Sequence, residues 1–420
     1  MAAVAQRGTF YGWRVVGAAF VLAAFGWGIG FFGPPVFLST IQSTRGWPLS
    51  LVSSAVTVHF LVGAVVGARL PLLYRRFGAT WVTKAGSLSL GLGILGWAMA
   101  AEPWQLFAAT VLTGAGWGTM SASAVNALVA PWFVRSRPAA LGMAYNGGSV
   151  GGIIFSPLWV AAIGALGFPL AAGLVALIVA VTMWVLAERV FSRDPEQMGL
   201  APDGAVLGSV QASATSPDAK RLPGALLWRD RTFRTLAAGM ALGLFAQIGL
   251  VAHLFSLLTP ALGAQQAGLA MGLVTAMAVS SRLLIGWLMP SGADRRLVAC
   301  VCYALQAAGS VVFACAGGTN AHLLLVGVLL FGSGFGAATS MPPLIAQVEF
   351  AKEEVTRVVA LIVGISQGAY AFAPAAFGLI RELAPRAADA APGASPWLFA
   401  AAALAQGLAI CAFLAGRRHS

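Results

Sequence analysis

The sequence predicts an all-α membrane protein, with twelve transmembrane helices in two pseudo-symmetric six-helix bundles. Three observations carry that expectation. Of the 420 residues, 59% are hydrophobic and only 9% charged, with a mean hydropathy of +0.84. Soluble chains carry about 25% charged residues, so a soluble fold is excluded. The apolar residues fall in long runs that match bilayer crossings of ~20–25 residues. The basic residues gather at alternate ends of those runs.

The runs lie near 13–38, 49–73, 80–100, 104–130, 138–163 and 167–188, and then near 233–258, 266–289, 296–316, 321–347, 355–380 and 396–416. The first is long enough to span and lacks the short apolar core and small-residue cleavage site of a removable signal, so it is expected to remain as a helix. Between the sixth and seventh lies 189–232, the one long polar stretch, rich in Gly, Pro, Ser, Ala and charge. It reads as a linker. The expected organisation is an N-terminal bundle (1–188), a cytoplasmic linker (189–232) and a C-terminal bundle (233–420).

Orientation follows from the charges. The N-terminus and the loops after even-numbered runs hold Arg7, Arg14, Arg75, Arg76, Arg135, Arg137, Arg295, Arg296, Lys352 and Arg357. The linker adds Arg189, Arg193, Lys220, Arg221, Arg229 and Arg231, and the C-terminus adds Arg417 and Arg418. The opposite side has Arg45, Arg381 and Arg386. By the positive-inside rule both termini are cytoplasmic, in a multi-pass protein of a bacterial inner membrane.

The halves repeat one another. LTGAGWGTMSAS at 112–123 matches LFGSGFGAATSM at 330–341, and RPAALGMAYNGG from Arg137 parallels RVVALIVGISQG from Arg357. Nearly equal offsets argue for a duplicated unit. A dinucleotide loop is excluded for GAGWGT, because no strand precedes it; glycines at this spacing let membrane helices approach closely.

Other function classes fall away on composition. A net charge of +12 does not imply nucleic acid, since the charges sit at run ends and form no basic face with interleaved aromatics. Cys300, Cys302, Cys315 and Cys411 show no metal spacing. No cofactor motif and no catalytic triad is present, and the chain is expected to be a non-enzyme and a monomer in the bilayer.

Arg282 is the charge nearest the middle of any apolar run, with no Asp, Glu, Lys or second Arg between Leu236 and Pro290. A guanidinium at bilayer depth costs ~2.5–3.5 kcal/mol and does not escape by deprotonating. It faces either an anionic cargo or backbone carbonyls between helices. Helical spacing places Thr275, Ala278, Val279, Arg282 and Gly286 on one face. Tyr145, Ser149, Gly152 and Ser156 form a stripe on the fifth helix with Asn146 beside it, and Ser366, Gln367 and Tyr370 form one on the eleventh. These polar groups are candidates for substrate contact or for helix pairing. His59 and His253, the imidazoles well inside runs, are candidates for proton coupling or for packing. Trp27, Phe31, Trp117 and Phe335 are candidate apolar walls.

Several stretches resemble the monocarboxylate-porter branch of the major facilitator superfamily. YGWRVV at Tyr11 is similar to its opening of the first helix, and APWFVRSRPAALGMAYNGGSVGGIIFSPL at 130–158 to its fourth-to-fifth helix signature. VAHLFSLLTPALGAQQAGLAMG, followed by SRLLIGWL at 281–288, resembles its seventh and eighth helices. The resemblance implies that the eighth-helix Arg contacts a substrate carboxylate, as in the related oxalate–formate exchanger, and Arg282 matches it. Three departures stand out. Ala278 replaces an Asp linked to proton coupling in some relatives. Pro71 to Gly78 reads PLLYRRFG, with Arg75 at the usual acidic position. The exchanger's eleventh-helix Lys has no counterpart, which points to a monoanion.

The expected function is a secondary active transporter that moves a small organic anion, a monocarboxylate, by alternating access, as proton symport or anion exchange. The rival readings are an efflux carrier for apolar or cationic compounds, which needs a membrane-embedded acid not found here, and a non-transporting sensor, which needs an output domain.

Overall fold

The computed structural model describes residues 10–204, 224–289, 293–385 and 391–417. Arg7, Lys220, Arg221, Arg386 and Arg418, and with them the middle of the predicted linker, lie outside the described residues. Helices make up nearly all of what is described. They are α1 (Tyr11–Gly30), α2 (Gly33–Arg45), α3 (Leu49–Met99), α4 (Pro103–Met120), α5 (Ala122–Val129), α6 (Arg137–Leu166) and α7 (Phe168–Arg189) in the first half. The second half has a short α8 (Gly224–Arg229), then α9 (Arg231–Leu262), α10 (Ala264–Leu288), α11 (Arg295–Cys315), α12 (Ala321–Glu349), α13 (Lys352–Ala371), α14 (Ala373–Leu383) and α15 (Pro396–Ala415).

Ten stretches among the described residues are long and apolar enough to cross a bilayer. One of them, the 51 residues of α3, is two crossings. Gly63 and Gly86 both lie against α4, at Trp117 and Thr119, so the chain has turned back between them. The turn is at Gly78, with φ +77° and ψ 155°. Gly167, between α6 and α7, and Gly263, between α9 and α10, share that geometry. This region of backbone space is essentially open to glycine alone. Each glycine ends one crossing and starts the next with no intervening loop. α4 and α5 together supply the remaining crossing, which completes twelve.

Lipid offers helices no hydrophobic reason to associate, so close backbone contact at small residues must hold them. The paired glycine motifs do this in matching ways. Gly114 and Gly118 lie against the first arm of α3, at His59, Val62 and Gly63, and Gly116 lies against its second arm, at Gly86 and Leu90. In the second half Gly332 and Gly336 lie against α10, at Val274 and Ala278, and Gly334 lies against α11, at Cys302 and Gln306. The same three positions of each repeat therefore face the same two neighbours. The duplication read in the sequence is a duplication of contacts.

Buried charge ties each bundle together at the end that carries the linker, the linker side. In the first half the Lys84 ammonium pairs with Glu188 and lies over the rings of Trp81 and Trp184, at 4.8 and 4.4 Å. In the second half Arg296 is 1% exposed and uses all five of its donors. Nε and Nη2 grip the two Glu349 oxygens at 2.6 and 2.8 Å. Nη1 donates to Thr235 Oγ1 and the Phe413 carbonyl, and Nη2 also donates to the Thr232 carbonyl. One side chain thus joins α9, α11, α12 and α15.

The first part of the predicted linker lies on the N-terminal bundle. Asp203 accepts the backbone N–H groups of Val134, Arg135 and Ser136 at 3.1, 2.8 and 3.1 Å, at the start of α6. Burial pushes the Asp203 carboxyl up, but those amides outweigh it and hold it below its usual value. The stabilisation from this clamp is present above the ordinary carboxylate range and lost as pH falls through the lowered value. Beside it Tyr11 and Trp132 meet at a tilt, 5.2 Å apart, and Trp13 meets Phe133 at 5.0 Å. The two signature stretches YGW and PWF are one aromatic cluster in space.

Removing one partner of a buried ion pair is far costlier than the pair is stabilising, about 3–5 kcal/mol. Arg296→Met should therefore lower the thermal midpoint of the detergent-solubilised protein markedly, and the double variant with Glu349→Gln should recover part of the loss. An unchanged midpoint in Arg296→Met would remove this residue from the framework.

Candidate functional site

Among the described residues, two prominent seams join the bundles on the distal side, away from the linker. On one, α6 and α10 run antiparallel. Pro157 lies against Gly268, Ile153 against Gly272 and Gly152 against Thr275. On the other, the first arm of α3 meets α13 and α14. Ser50 N–H donates to Glu382 Oε2 at 2.7 Å, and Ala375 N–H donates to Thr57 Oγ1 at 3.2 Å. Between these bonds Ser53 packs on Gly378, and Phe60 meets Tyr370 edge-on at 5.9 Å. Phe31, Val56, Phe60, Ile248 and Val251 line a small gap behind them.

Local sequence explains why this seam bonds through backbone. The first amides of a helix have no partner inside it. Ser50 stands in the first turn of α3. Pro374 breaks the eleventh crossing at Phe372 and makes Ala375 a first-turn residue of α14. Both free N–H groups reach across to the other bundle.

Toward the linker the seams part, and Met143, Asn146, Leu283 and Leu284 are exposed. Asn146 shares the helix face of Ile153 and Pro157, and Arg282 shares the face of Thr275. Counting back along the antiparallel pairing from Ile153 and Gly272 brings Asn146 level with Val279. Arg282 is one turn, ~5 Å, nearer the linker side. On this count Asn146 of one half and Arg282 of the other lie near one depth along the α6–α10 pairing.

Arg282 lies in the last third of α10, closer to the linker side than its position in the apolar run suggests, and is half-buried. Its Nε donates to the Gly336 carbonyl of α12 at 3.2 Å. Among the described residues no carboxylate lies within ion-pair distance of it, and its Nη1 and Nη2 groups make no further hydrogen bond. Tyr145 is half-buried, and its hydroxyl donates to the Ala122 carbonyl at 3.2 Å, at the break between α4 and α5. Tyr370 is committed to Phe60 on the distal seam. Ser366 is buried with its hydroxyl unpartnered, and Gln367 is half-buried a residue further along. The α6–α10 pairing therefore sets Arg282 and Asn146 near one depth, while Tyr370 of the eleventh crossing lies on the other seam.

The histidines differ. His59 is bonded on both ring nitrogens, Nε2 to the Gly30 carbonyl at 2.8 Å and Nδ1 to Thr113 Oγ1 at 2.9 Å. Gly30 needs that donor, because the residue four ahead, Pro34, has no N–H to offer it. A carbonyl only accepts, so Nε2 carries the proton of a neutral ring. His253 donates through Nε2 to the Pro374 carbonyl at 3.0 Å, while its Nδ1 is unpartnered.

Trp27 and Trp117 meet edge-on at 5.0 Å, and Phe31 meets Phe60 at 6.0 Å. They form an apolar wall that continues to Tyr370. Phe335 packs on Phe331 inside the second bundle. A separate cavity of about 320 Å³ opens near Tyr74, Trp132 and Arg193 on the linker side of the first bundle. It holds none of the predicted site residues. Among residues the sequence reading passed over, Gln247 is buried on α9 with its amide unpartnered. Its residue type inside an apolar run was the available signal.

Two six-helix bundles with a cleft between them, open at one end, define an architecture shared by a large family of carriers. The profile of the major facilitator superfamily matches residues 9–374. The chain belongs to that superfamily. It is thus a multi-pass integral membrane protein and a secondary transporter. MFS-type transporter 1 of Ophiocordyceps sp. (strain BCC 1869) is 28% identical over 193 residues, a match spanning 45% of this chain and 42% of that relative. The nucleoside transporter NupG superposes with a TM-score of 0.74 at 13% identity, over 98% of this chain and all of its own. A D-xylose–proton symporter gives 0.73 at 14% identity, covering 96% and 97% of the two chains. A bacterial homologue of the lysosomal transporter Spinster, inward-facing and occupied, gives 0.72 at 14% identity, covering 98% and 99%. At such identities the likeness to solved structures is one of fold.

The distal seam has a checkable weak point. Thr57→Val keeps the shape but leaves the Ala375 N–H unpaired, at a cost of about 1–3 kcal/mol. With the four native cysteines replaced, Ser53→Cys should then react several-fold faster with an impermeant maleimide added from the distal side. No change in that rate would show that the bond does not hold the seam.

Proposed function

We propose that this superfamily member carries a small organic monoanion, a monocarboxylate, by rocking its two halves about a midplane site, with both termini and the linker in the cytoplasm of a bacterial inner membrane. On that orientation the structure is the inward-open state. Outside-added maleimide that reaches Ser53→Cys only in inside-out vesicles would reverse the orientation.

The observation that supports an anionic cargo is Arg282. It is a half-buried guanidinium in a cleft between bundles, with two terminal nitrogens uncommitted among the described residues. Arg carries a planar fork of donors that suits a carboxylate bidentately. The bond to Gly336 favours one rival, in which Arg282 braces α10 against α12 and the cargo is neutral, as for the nucleoside and xylose carriers of the same fold. The two readings separate on substitution. Arg282→Lys keeps the charge but loses the planar grip, and should cut carboxylate uptake at least tenfold. Arg282→Ala should abolish saturable uptake while the protein stays in the membrane. Near-normal carboxylate uptake by Arg282→Ala would return the residue to bracing.

Importing a monoanion against an inside-negative potential costs ~2.3 kcal/mol per 100 mV, which proton symport or anion exchange removes. With no carboxylate in the cleft among the described residues, a symported proton rides on the substrate or on an imidazole. His253 is the better candidate, since its Nδ1 is uncommitted whereas both nitrogens of His59 hold the packing of the first bundle. His253→Gln should then uncouple uptake from an imposed pH gradient yet retain counterflow exchange in proteoliposomes. If His253→Gln still concentrates substrate on a pH gradient alone, His253 is not the carrier. If wild type ignores the gradient, exchange is the mechanism.

A further inference from the structure

Three arginines gather around one tyrosine where α1, α7 and the linker meet. The Tyr11 hydroxyl donates to the Arg189 and Val190 carbonyls at 3.0 and 3.3 Å, at the end of α7. Arg14 and Arg193 both lie over the Tyr11 ring, 5.9 and 5.7 Å from its centre. Arg14, Arg189 and Arg193 are exposed, and among the described residues none of them has an ion pair. The acids next to them in sequence are already engaged, Glu188 with Lys84 and Asp194 with the Gln197 N–H. A guanidinium lying on a ring keeps its in-plane N–H donors free. The cluster therefore presents repelling charges and a set of donors that a single anion satisfies together.

The surroundings give that anion its class. Along α7, Leu174, Ile178, Val181 and Val185 are exposed and spaced to share one face, which ends at Arg189. Trp13 and Trp184 are exposed at the same end of α1 and α7, and indole rings favour the headgroup level of a bilayer. An apolar stripe that runs down to clustered guanidiniums at that level matches an amphiphile standing in the membrane better than a soluble ion. Toward the bundle, the cavity of about 320 Å³ is lined by Val15, Val190, Ser192, Arg193 and Gln197. Arg193 belongs to both features, and Val15 and Val190 are the sequence neighbours of the other two arginines. The cavity gives room for whatever polar group a phosphate carries.

We propose that Arg14, Arg189 and Arg193 bind the phosphate of an anionic phospholipid in the linker-side leaflet, with an acyl chain along the α7 stripe and the headgroup at the cavity. The two free oxygens of a phosphodiester accept charge-assisted bonds from guanidinium donors. Three positive charges outweigh the one acid of the cavity lining, Asp194, so a lipid of net negative charge is preferred to a zwitterionic one. The occupant ties α1 and the end of α7 to the first residues of the linker. It lies wholly on the first bundle and leaves the halves free to rock.

Native mass spectrometry of the delipidated full-length protein tests this, with phosphatidylglycerol and phosphatidylethanolamine of matched chains as probes. Wild type should hold one phosphatidylglycerol roughly tenfold tighter than phosphatidylethanolamine. The double variant Arg14→Gln/Arg193→Gln should weaken phosphatidylglycerol about thirtyfold and erase the preference. Arg229→Gln/Arg231→Gln, which removes two exposed charges from the linker side of the second bundle, should leave the preference nearly unchanged. Arg14→Lys/Arg193→Lys keeps the charge without the planar donors and should retain only part of it, which decides the matter should the glutamine pair fail to fold. An equal loss in the second-bundle control would reduce the effect to diffuse surface charge and overturn the site. Equal wild-type affinity for the two lipids would overturn the anionic preference. Displacement of phosphatidylglycerol by millimolar inorganic phosphate would make the occupant a soluble anion and overturn the lipid.

Discussion

A backbone group left unpaired inside a bilayer has no water to turn to, and this structure is arranged around that constraint. At several breaks in the crossings a side chain supplies the missing bond. Pro34 denies the Gly30 carbonyl its helical donor, and His59 takes that place. Pro374 opens the eleventh crossing, and the amide released at Ala375 is accepted by Thr57 of the other bundle. Beside the α4–α5 break, Tyr145 ties α6 to the first turn of α5 by donating to the Ala122 carbonyl. The breaks are therefore the places where elements are joined, and in one case where the two halves are joined.

The two ends of the molecule are built with different materials. On the linker side, ion pairs hold each bundle rigid within itself: Lys84 with Glu188, and Arg296 with Glu349. Neither pair crosses between bundles. On the distal side the bundles meet, among the described residues, through glycines, ring edges and two hydrogen bonds donated by amides. Strong cohesion inside each bundle and modest contact between them is what rigid-body rocking requires. Asn146 and Arg282 lie nearer the linker side than the seam contacts.

Much of the architecture was legible in the sequence because it rests on periodic, local signals. Apolar runs of bilayer length marked the crossings, and the repeated glycine motif reappeared as the same three contacts in each half. Arg282 was legible because a charge in an apolar run has few explanations. The distal seam was not, because main-chain amides leave no trace in residue identity until the fold brings them together. Lys84 and Arg296 stand near the ends of runs, where a cation reads as ordinary flanking charge, and only long-range packing reveals that they are buried and which carboxylates they pair with. The anchoring of Asp203 onto the loop before α6 is hidden for the same reason. Gln247 was visible as a residue but unremarkable until its lack of partners was known.

The two inter-bundle bonds have their donors in the polypeptide itself. Replacing Ser50 or Ala375 by almost any residue but proline leaves an N–H in the same place. The acceptors, Thr57 and Glu382, are side chains, so each bond asks the gene for one accepting residue and for a helix that starts or restarts at a given depth. Drift at the donor positions leaves the closure intact unless it brings in proline, whereas a single change at an acceptor removes a bond. The halves are thus held by a contract with one tolerant and one exacting signatory.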